Sequence, residues 1–192
     1  MAGYEDVLEF WISEVGPKGW YMGGAKLDAE VTARFAGLWD AARTEPPQGW
    51  SATPRGMLAL LILFDQFPRN MFRGDGRAFV TDEAARKIAK KAIEAGWDMR
   101  IPEPERQFFY LPLMHSECLM DQERCIRLIK ERMPETGADN LLHARAHREV
   151  IRRFGRFPHR NEDLARPTTG EEARFLEEGG YRGIVEELRV AA

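Results

Sequence analysis

Apolar residues recur at helical spacing along almost the whole chain, and no stretch alternates with the period of two that marks a half-buried strand. The spacing predicts a first helix from about Glu5 to Val15, with Val7, Leu8, Trp11 and Val15 on one face and Gly16-Pro17 as its stop. GPKGWYMGGAK then reads as a glycine-rich loop with two exposed aromatics. A second helix, about Asp28 to Arg43, carries Leu27, Val31, Phe35, Leu38 and Ala42, and TEPPQGWS breaks the chain after it. Thr53 is placed to cap a third helix, with Pro54 at the first helical position, where its missing N–H costs nothing. That helix contains MLALLILF, without a polar face, so it is expected to be the enclosed central element, ending near Phe67.

The second half reads the same way. An Asp75-Gly76 turn leads to a helix capped by Thr81 or Asp82 and running to Gly96, with a stripe of small residues: Ala84, Ala85, Ile88, Ala89, Ala92. PEPERQFFYLPLMHSECLMDQERCIRLIKERM gives one or two helices, with Pro112 as kink or break. A further helix starts at Asp139 or Asn140 and ends at Phe154-Gly155. Thr169 with Glu172 three positions on is a capping-box pattern opening a short helix closed by Gly179-Gly180. The whole predicts an all-α fold, an antiparallel array of helical hairpins in a single domain over 1–192, without a clean 34-residue repeat.

Composition narrows the function classes. The chain has 192 residues, 44% hydrophobic and 31% charged, with a formal net charge of -3. Nucleic-acid binding by bulk charge is not expected. The acidic N-terminus lacks the basic region of a secretory signal, and the longest apolar run, eight residues at 57–64, is far below the roughly 20 needed to cross a bilayer. A cytoplasmic protein without membrane contact is the expectation. Cys118 and Cys125 are spaced to share a helix face, as reduced, mostly buried thiols rather than a disulfide. Neither a glycine-rich phosphate loop nor GxSxG, HExxH, an EF-hand loop or a paired Glu-x-x-His pattern occurs. His143 and His147 stand i, i+4 on one helix face, but no further ligand completes a metal set, so no metal and no cofactor are expected.

Three stretches concentrate polar chemistry. In FDQFPRN, Asp65 falls at the C-terminal end of the most apolar helix, where the helix dipole disfavours an anion, and so calls for an arginine or several donors. Gln66, Arg69 and Asn70 follow it. In FGRFPHRN, Arg156, His159, Arg160 and Asn161 flank Phe157-Pro158, after Arg145, Arg148, Arg152 and Arg153 on the preceding helix; guanidinium groups suit bidentate binding of carboxylate or phosphate. In ERQFFYLPLMHSE, Arg106, His115 and Glu117 offer an acid–base pair and a further cation. Both Phe-Pro pairs are read as one device: the ring anchors, proline stops the helix, and Arg-Asn is aimed at a shared polar cluster.

In their order and spacing, FDQFPRNMFRG…AFVTD, ERQFFYLPLMHSE and FGRFPHRN…PTTGEE…FL resemble the bacterial family known as domain of unknown function 924. The resemblance runs from about residue 5 to 180, from VLEFW to FLEEGG, leaving 181–192 as a C-terminal extension and candidate oligomer contact. It implies a tetratricopeptide-repeat-like helical fold and no activity or cofactor. One departure stands out: where the family has a Leu-Gly-Arg-Glu-Ser-Thr type run, this chain reads LARPTT, with Ala165 and Pro167 in place of Gly and Glu.

Three functional readings follow. The first is a helical binding protein whose pocket takes a small anionic ligand or acidic peptide through Asp65, Gln66, Arg69, Asn70, Arg106, Arg156, His159, Arg160 and Asn161. The second is an enzyme in which His115 or His159 works with Asp65 or Glu117 as acid–base groups. In the third, the arginine–carboxylate network is structural and function lies in protein association.

Overall fold

The computed structural model describes residues 3–191, which are helical with connecting turns and contain no strand. Among them no helix is long and apolar enough to cross a membrane. The chain divides into two compact units, Met1–Pro112 and Leu113–Ala192.

In the first unit, α1 (Tyr4–Leu8) runs on through a wider π-helical stretch, Glu9–Val15, which ends as expected at Gly16, at φ 64°. A single turn, α2 (Gly16–Gly19), follows, with Pro17 in its first turn, where a missing donor is harmless. Trp20 corrects the reading of an exposed aromatic loop: it is buried and donates to the Trp11 carbonyl at 2.7 Å, while Tyr21 is exposed. Helix α3 (Ala25–Thr44) buries Val31, Phe35, Trp39 and Ala42. Helix α4 (Pro54–Leu61) begins as expected, with the Thr53 hydroxyl accepting from the Gly56 N–H at 3.0 Å. Every side chain from Gly56 to Pro68 is buried, which makes this the central element.

The end of that element differs from expectation. Helix α4 widens into a π-helical stretch, Ile62–Gln66, and continues through Phe67-Pro68 as α5 (Phe67–Met71). Pro68 has no N–H to give the carbonyl four residues back, at Phe64. That carbonyl is instead satisfied by the Thr81 hydroxyl at 2.6 Å, and Thr81 in turn accepts from the Trp39 indole N–H at 3.3 Å. Thr81 thus makes no cap bond to α6 (Asp82–Glu94); it repairs the proline. The aromatic half of the expectation holds, since Phe67 is fully buried with its ring 4.7 Å from Phe35 and 5.4 Å from Trp11. Helix α6 packs its small stripe, Ala85, Ala89 and Ala92 with Ile93, close against α4.

The short α7 (Leu111–Met114) contains Pro112 and ends before His115. In the second unit, α8 (Leu119–Arg132) and α9 (Ala138–Phe154) form a hairpin, an arrangement compatible with the tetratricopeptide-like expectation. Helix α9 stops where predicted, at Gly155, which takes the left-handed conformation at φ 68°. The Thr169–Glu172 capping box opens α10 (Gly170–Glu177), and α11 (Gly180–Val190) turns the C-terminal extension into a helix. Ile184 and Val185 of α11 complete a core with Ala146, Val150, Ile151 and Phe157. Cys118 and Cys125 are free thiols, but Cys118 precedes α8 and is exposed, so the two do not share a helix.

Thr81→Val is isosteric and removes the hydroxyl that donates to the Phe64 carbonyl. Urea unfolding is expected to show a loss of about 1–3 kcal/mol, the usual cost of a buried unsatisfied group. An unchanged midpoint would mean that the π-helical stretch satisfies this carbonyl by another route.

Candidate functional site

The first unit holds the Asp65 corner. Asp65 is 1% exposed, accepts from the Gln66 amide at 2.5 Å and lies 3.4 Å from the Arg69 guanidinium, so it has the arginine its burial demands. Arg69 also bridges to Asp82 at 2.9 Å. Asn70 donates to the Gln66 carbonyl at 3.1 Å, and Arg106 to the carbonyls of Ile101 and Asp98 at 2.9 and 3.2 Å. Each of these polar groups is engaged within the unit. Because the helix runs on to Met71, Asp65 does not sit at a helix end as the sequence suggests.

The second unit brings a different set together, around the buried ring of Phe157. Glu117, beyond α7, accepts the Phe157 N–H at 2.8 Å. Arg166 makes a bidentate pair with Glu117 at 2.8 and 3.0 Å and donates to the Phe157 carbonyl at 3.1 Å. One ion pair thus grips both backbone polar groups of a single residue. Burial pushes Glu117 up, but Arg166 and the Phe157 N–H outweigh it and leave the carboxyl below its ordinary range.

Side chains crowd the ring itself. The Arg160 guanidinium lies 4.5 Å from its centroid, a cation–π placement. His147 meets it edge-on at 5.4 Å and His159 lies at 5.6 Å. The His115 ring is 6.2 Å from that of His147, and the Tyr181 ring is 4.7 Å from His147 on another side. His159 is exposed, His115 and His147 partly so, and Arg160 is buried. Arg156 and Asn161 serve the neighbouring turn: Arg156 grips buried Glu172 through two bonds, at 2.6 and 2.8 Å, and Asn161 accepts from Arg166 at 3.1 Å.

The electrostatics follow from this crowding. His147 donates Nδ1–H to the His143 carbonyl at 2.8 Å. Burial, and then the electrostatic influence of His115, Arg160 and His159, hold its pKa down to about 3 against that bond. His159 is lowered as well, by desolvation and then by Arg160, with Glu117 acting the other way. The arginines of α9 do not form the basic stripe that the spacing suggests. Glu149 takes both Arg152 and Arg153, at 2.9 and 2.7 Å, and Arg148 lies 3.4 Å from Glu123. Among the described residues no group of three or more His, Cys, Asp and Glu side chains is placed to hold a metal ion. His143 turns to the Tyr181 hydroxyl and, at 3.5 Å, to Asp139. A groove of about 420 Å³ lined by Arg153, Phe154, Glu171, Arg174, Phe175 and Glu178 contains none of the histidines. The polar cluster lies outside this groove.

Sequence reasoning missed Arg166, weighed His147 only as a metal ligand, and gave Tyr181 no role. Nothing local marks Arg166, whose partner Glu117 is 49 residues away. One signal was present. Ala165 is the single non-glycine residue at positive φ among those described, at 50°, and it stands where the resembled family has glycine.

Two outcomes follow. Ala165→Gly should raise stability by about 1 kcal/mol through relief of that strain, read by thermal or urea unfolding; a loss would show the turn to be unstrained. The histidines set the second. A histidine whose pKa is lowered on folding takes up a proton more readily unfolded, so stability is full above pH 6.5 and falls as pH drops toward about 3. Glu149 and Glu172, held down to about 2 by their arginines, begin to matter only below about 4.5. Between pH 6.5 and 5, His147 should therefore cost about 2 kcal/mol. The difference in unfolding free energy between wild type and His147→Gln should vary over that window, and a constant difference would contradict the assignment.

Comparison with known proteins agrees with this architecture. Residues 7–180 match the model of a family described as bacterial protein of unknown function, DUF924. The solved structure of ATU0120, a protein of unknown function from Agrobacterium tumefaciens, is 41% identical and superposes with a TM-score of 0.85, covering 91% of this chain and 97% of that one. A search of the curated proteins returns no match. With the family match spanning nearly the whole length, this chain belongs to the DUF924 family.

Proposed function

We propose that the second unit is a binding module for a small anion, a carboxylate or a phosphate, taken up beside Arg160 and His159 at the Phe157 ring. The observation that carries the reading is the gathering of cationic and imidazole side chains at that ring. The Arg160 guanidinium lies over it, His147 and His159 lie beside it with His115 next to His147, and Glu117 is engaged by Arg166 and a backbone N–H. Burial and the cationic neighbours hold His147 and His159 below the ordinary imidazole range. An anion arriving there would relieve the repulsion and draw a proton onto an imidazole. Arg156 and Asn161 belong to this reading as supports of the turn. The Asp65 corner, whose groups satisfy one another, reads as structural pinning of the first unit.

The acid–base reading has weaker support. Glu117 is spoken for by Arg166, so it is a poor proton acceptor, and His159, held down to about 4, is a weak base at neutral pH. It gains ground only if bound anion returns a histidine toward neutrality.

Proton-coupled binding has a definite signature. In NMR titrations of the histidine ring protons, sodium phosphate at constant ionic strength should raise the pKa of His159, and phosphate affinity should increase as pH falls from 8 to 6. A His159 titration curve indifferent to phosphate, with no saturable shift at Arg160, would sink the proposal.

A further inference from the structure

The backbone contact of His147 narrows the ligand further. Nδ1 stands 2.8 Å from the His143 carbonyl oxygen, and two lone pairs cannot face each other at that distance, so the ring proton is on Nδ1. In the neutral ring Nε2 then has only a lone pair to offer. Among the described residues the hydrogen bond His147 makes runs through Nδ1, and the residue is partly exposed, which leaves Nε2 as the ring atom to meet a ligand. Its ring lies against Phe157 and beside His115, inside the same patch as Arg160 and His159. Tyr181 of α11 covers another side at 4.7 Å and helps to fix the ring plane.

On the anion-site reading above, we infer that the ligand is an oxyanion carrying its own O–H beside the charge, as in a phosphate monoester monoanion or a 2-hydroxy carboxylate. The charged oxygens face Arg160 and His159, and the hydroxyl donates to Nε2 of His147. An oxyanion without a proton would set an oxygen lone pair against the Nε2 lone pair. Sites built to hydrogen-bond a ligand hydroxyl reject the analogue lacking it strongly, because a polar group is then left unpaired. His147 thereby becomes the specificity-determining residue. The low proton affinity of the ring suits the task, since it keeps Nε2 an acceptor across the physiological range.

Phosphate and sulfate test this on the full chain, because they match in size and shape while sulfate carries no proton at pH 7. Calorimetric titration at equal ionic strength is expected to show phosphate binding roughly tenfold or more tighter than sulfate. Long-range ¹H–¹⁵N spectra should show the Nδ1–H tautomer of His147, with Nε2 moving on addition of phosphate and not of sulfate. His147→Gln offers an amide that can donate or accept and should bring the two affinities together. Equal affinities in wild type, with His159 responding alike to both, would overturn the inference and leave the anion site standing. Preference for phosphate with Nε2 undisturbed, or an Nε2–H tautomer, would also overturn it. Failure of both anions to bind would remove the anion site itself.

Discussion

The second unit depends on the backbone of one residue, Phe157, being held at both its N–H and its carbonyl. Glu117 takes the N–H of Phe157 and Arg166 takes its carbonyl, while the two side chains pair bidentately with each other. Three segments distant in sequence, around residues 117, 157 and 166, are locked by this one contact. Breaking either half would strand a partly buried charge, which costs more than the pair contributes when intact. With its backbone fixed, the Phe157 ring becomes a platform. Arg160 lies against its face, His147 meets it edge-on, and His159 and His115 gather round. Lowered proton affinity at His147 and His159 is the electrostatic consequence of that packing.

The two Phe-Pro pairs turn out to solve different problems. At Phe67-Pro68 the helix continues, and the missing proline donor is made good from outside by the Thr81 hydroxyl. At Phe157-Pro158 the helix has already ended at Gly155, and proline starts a short 3₁₀ turn that carries His159 and Arg160. Both phenylalanines are buried anchors, so the shared part of the motif is apolar. The Arg-Asn that follows serves an internal ion pair in one case and the packing round the Phe157 ring and Arg166 in the other.

Much of the fold was legible because it depends on local chemistry. The Thr53-Pro54 start, the Gly155 stop, the Thr169–Glu172 box and the wholly buried 56–68 run each follow from residue type at fixed spacing. What failed locally failed for tertiary reasons. Pro68 looks like a terminator until a hydroxyl 13 residues later replaces its donor, and Trp20 looks exposed until the Trp11 carbonyl captures its indole. The site was half legible. His115, Glu117, His159 and Arg160 are readable as chemistry-bearing, and Asp65 does find its arginine in Arg69. Arg166 was invisible because its meaning lies in Glu117, and His147 because its role depends on which ring nitrogen a carbonyl engages.

The central claim is that the Phe157 patch receives an anion, and ligand-induced stabilisation of wild type against an exposed-site variant tests it most directly. His159 is exposed, so His159→Ala should fold normally. Thermal unfolding of both proteins would be compared in sodium phosphate and in sodium chloride at matched ionic strength. Phosphate at a hundred times its dissociation constant should stabilise wild type by about 2.7 kcal/mol, with most of that gain lost in the variant. Equal stabilisation of both proteins, or none in either, would contradict the account.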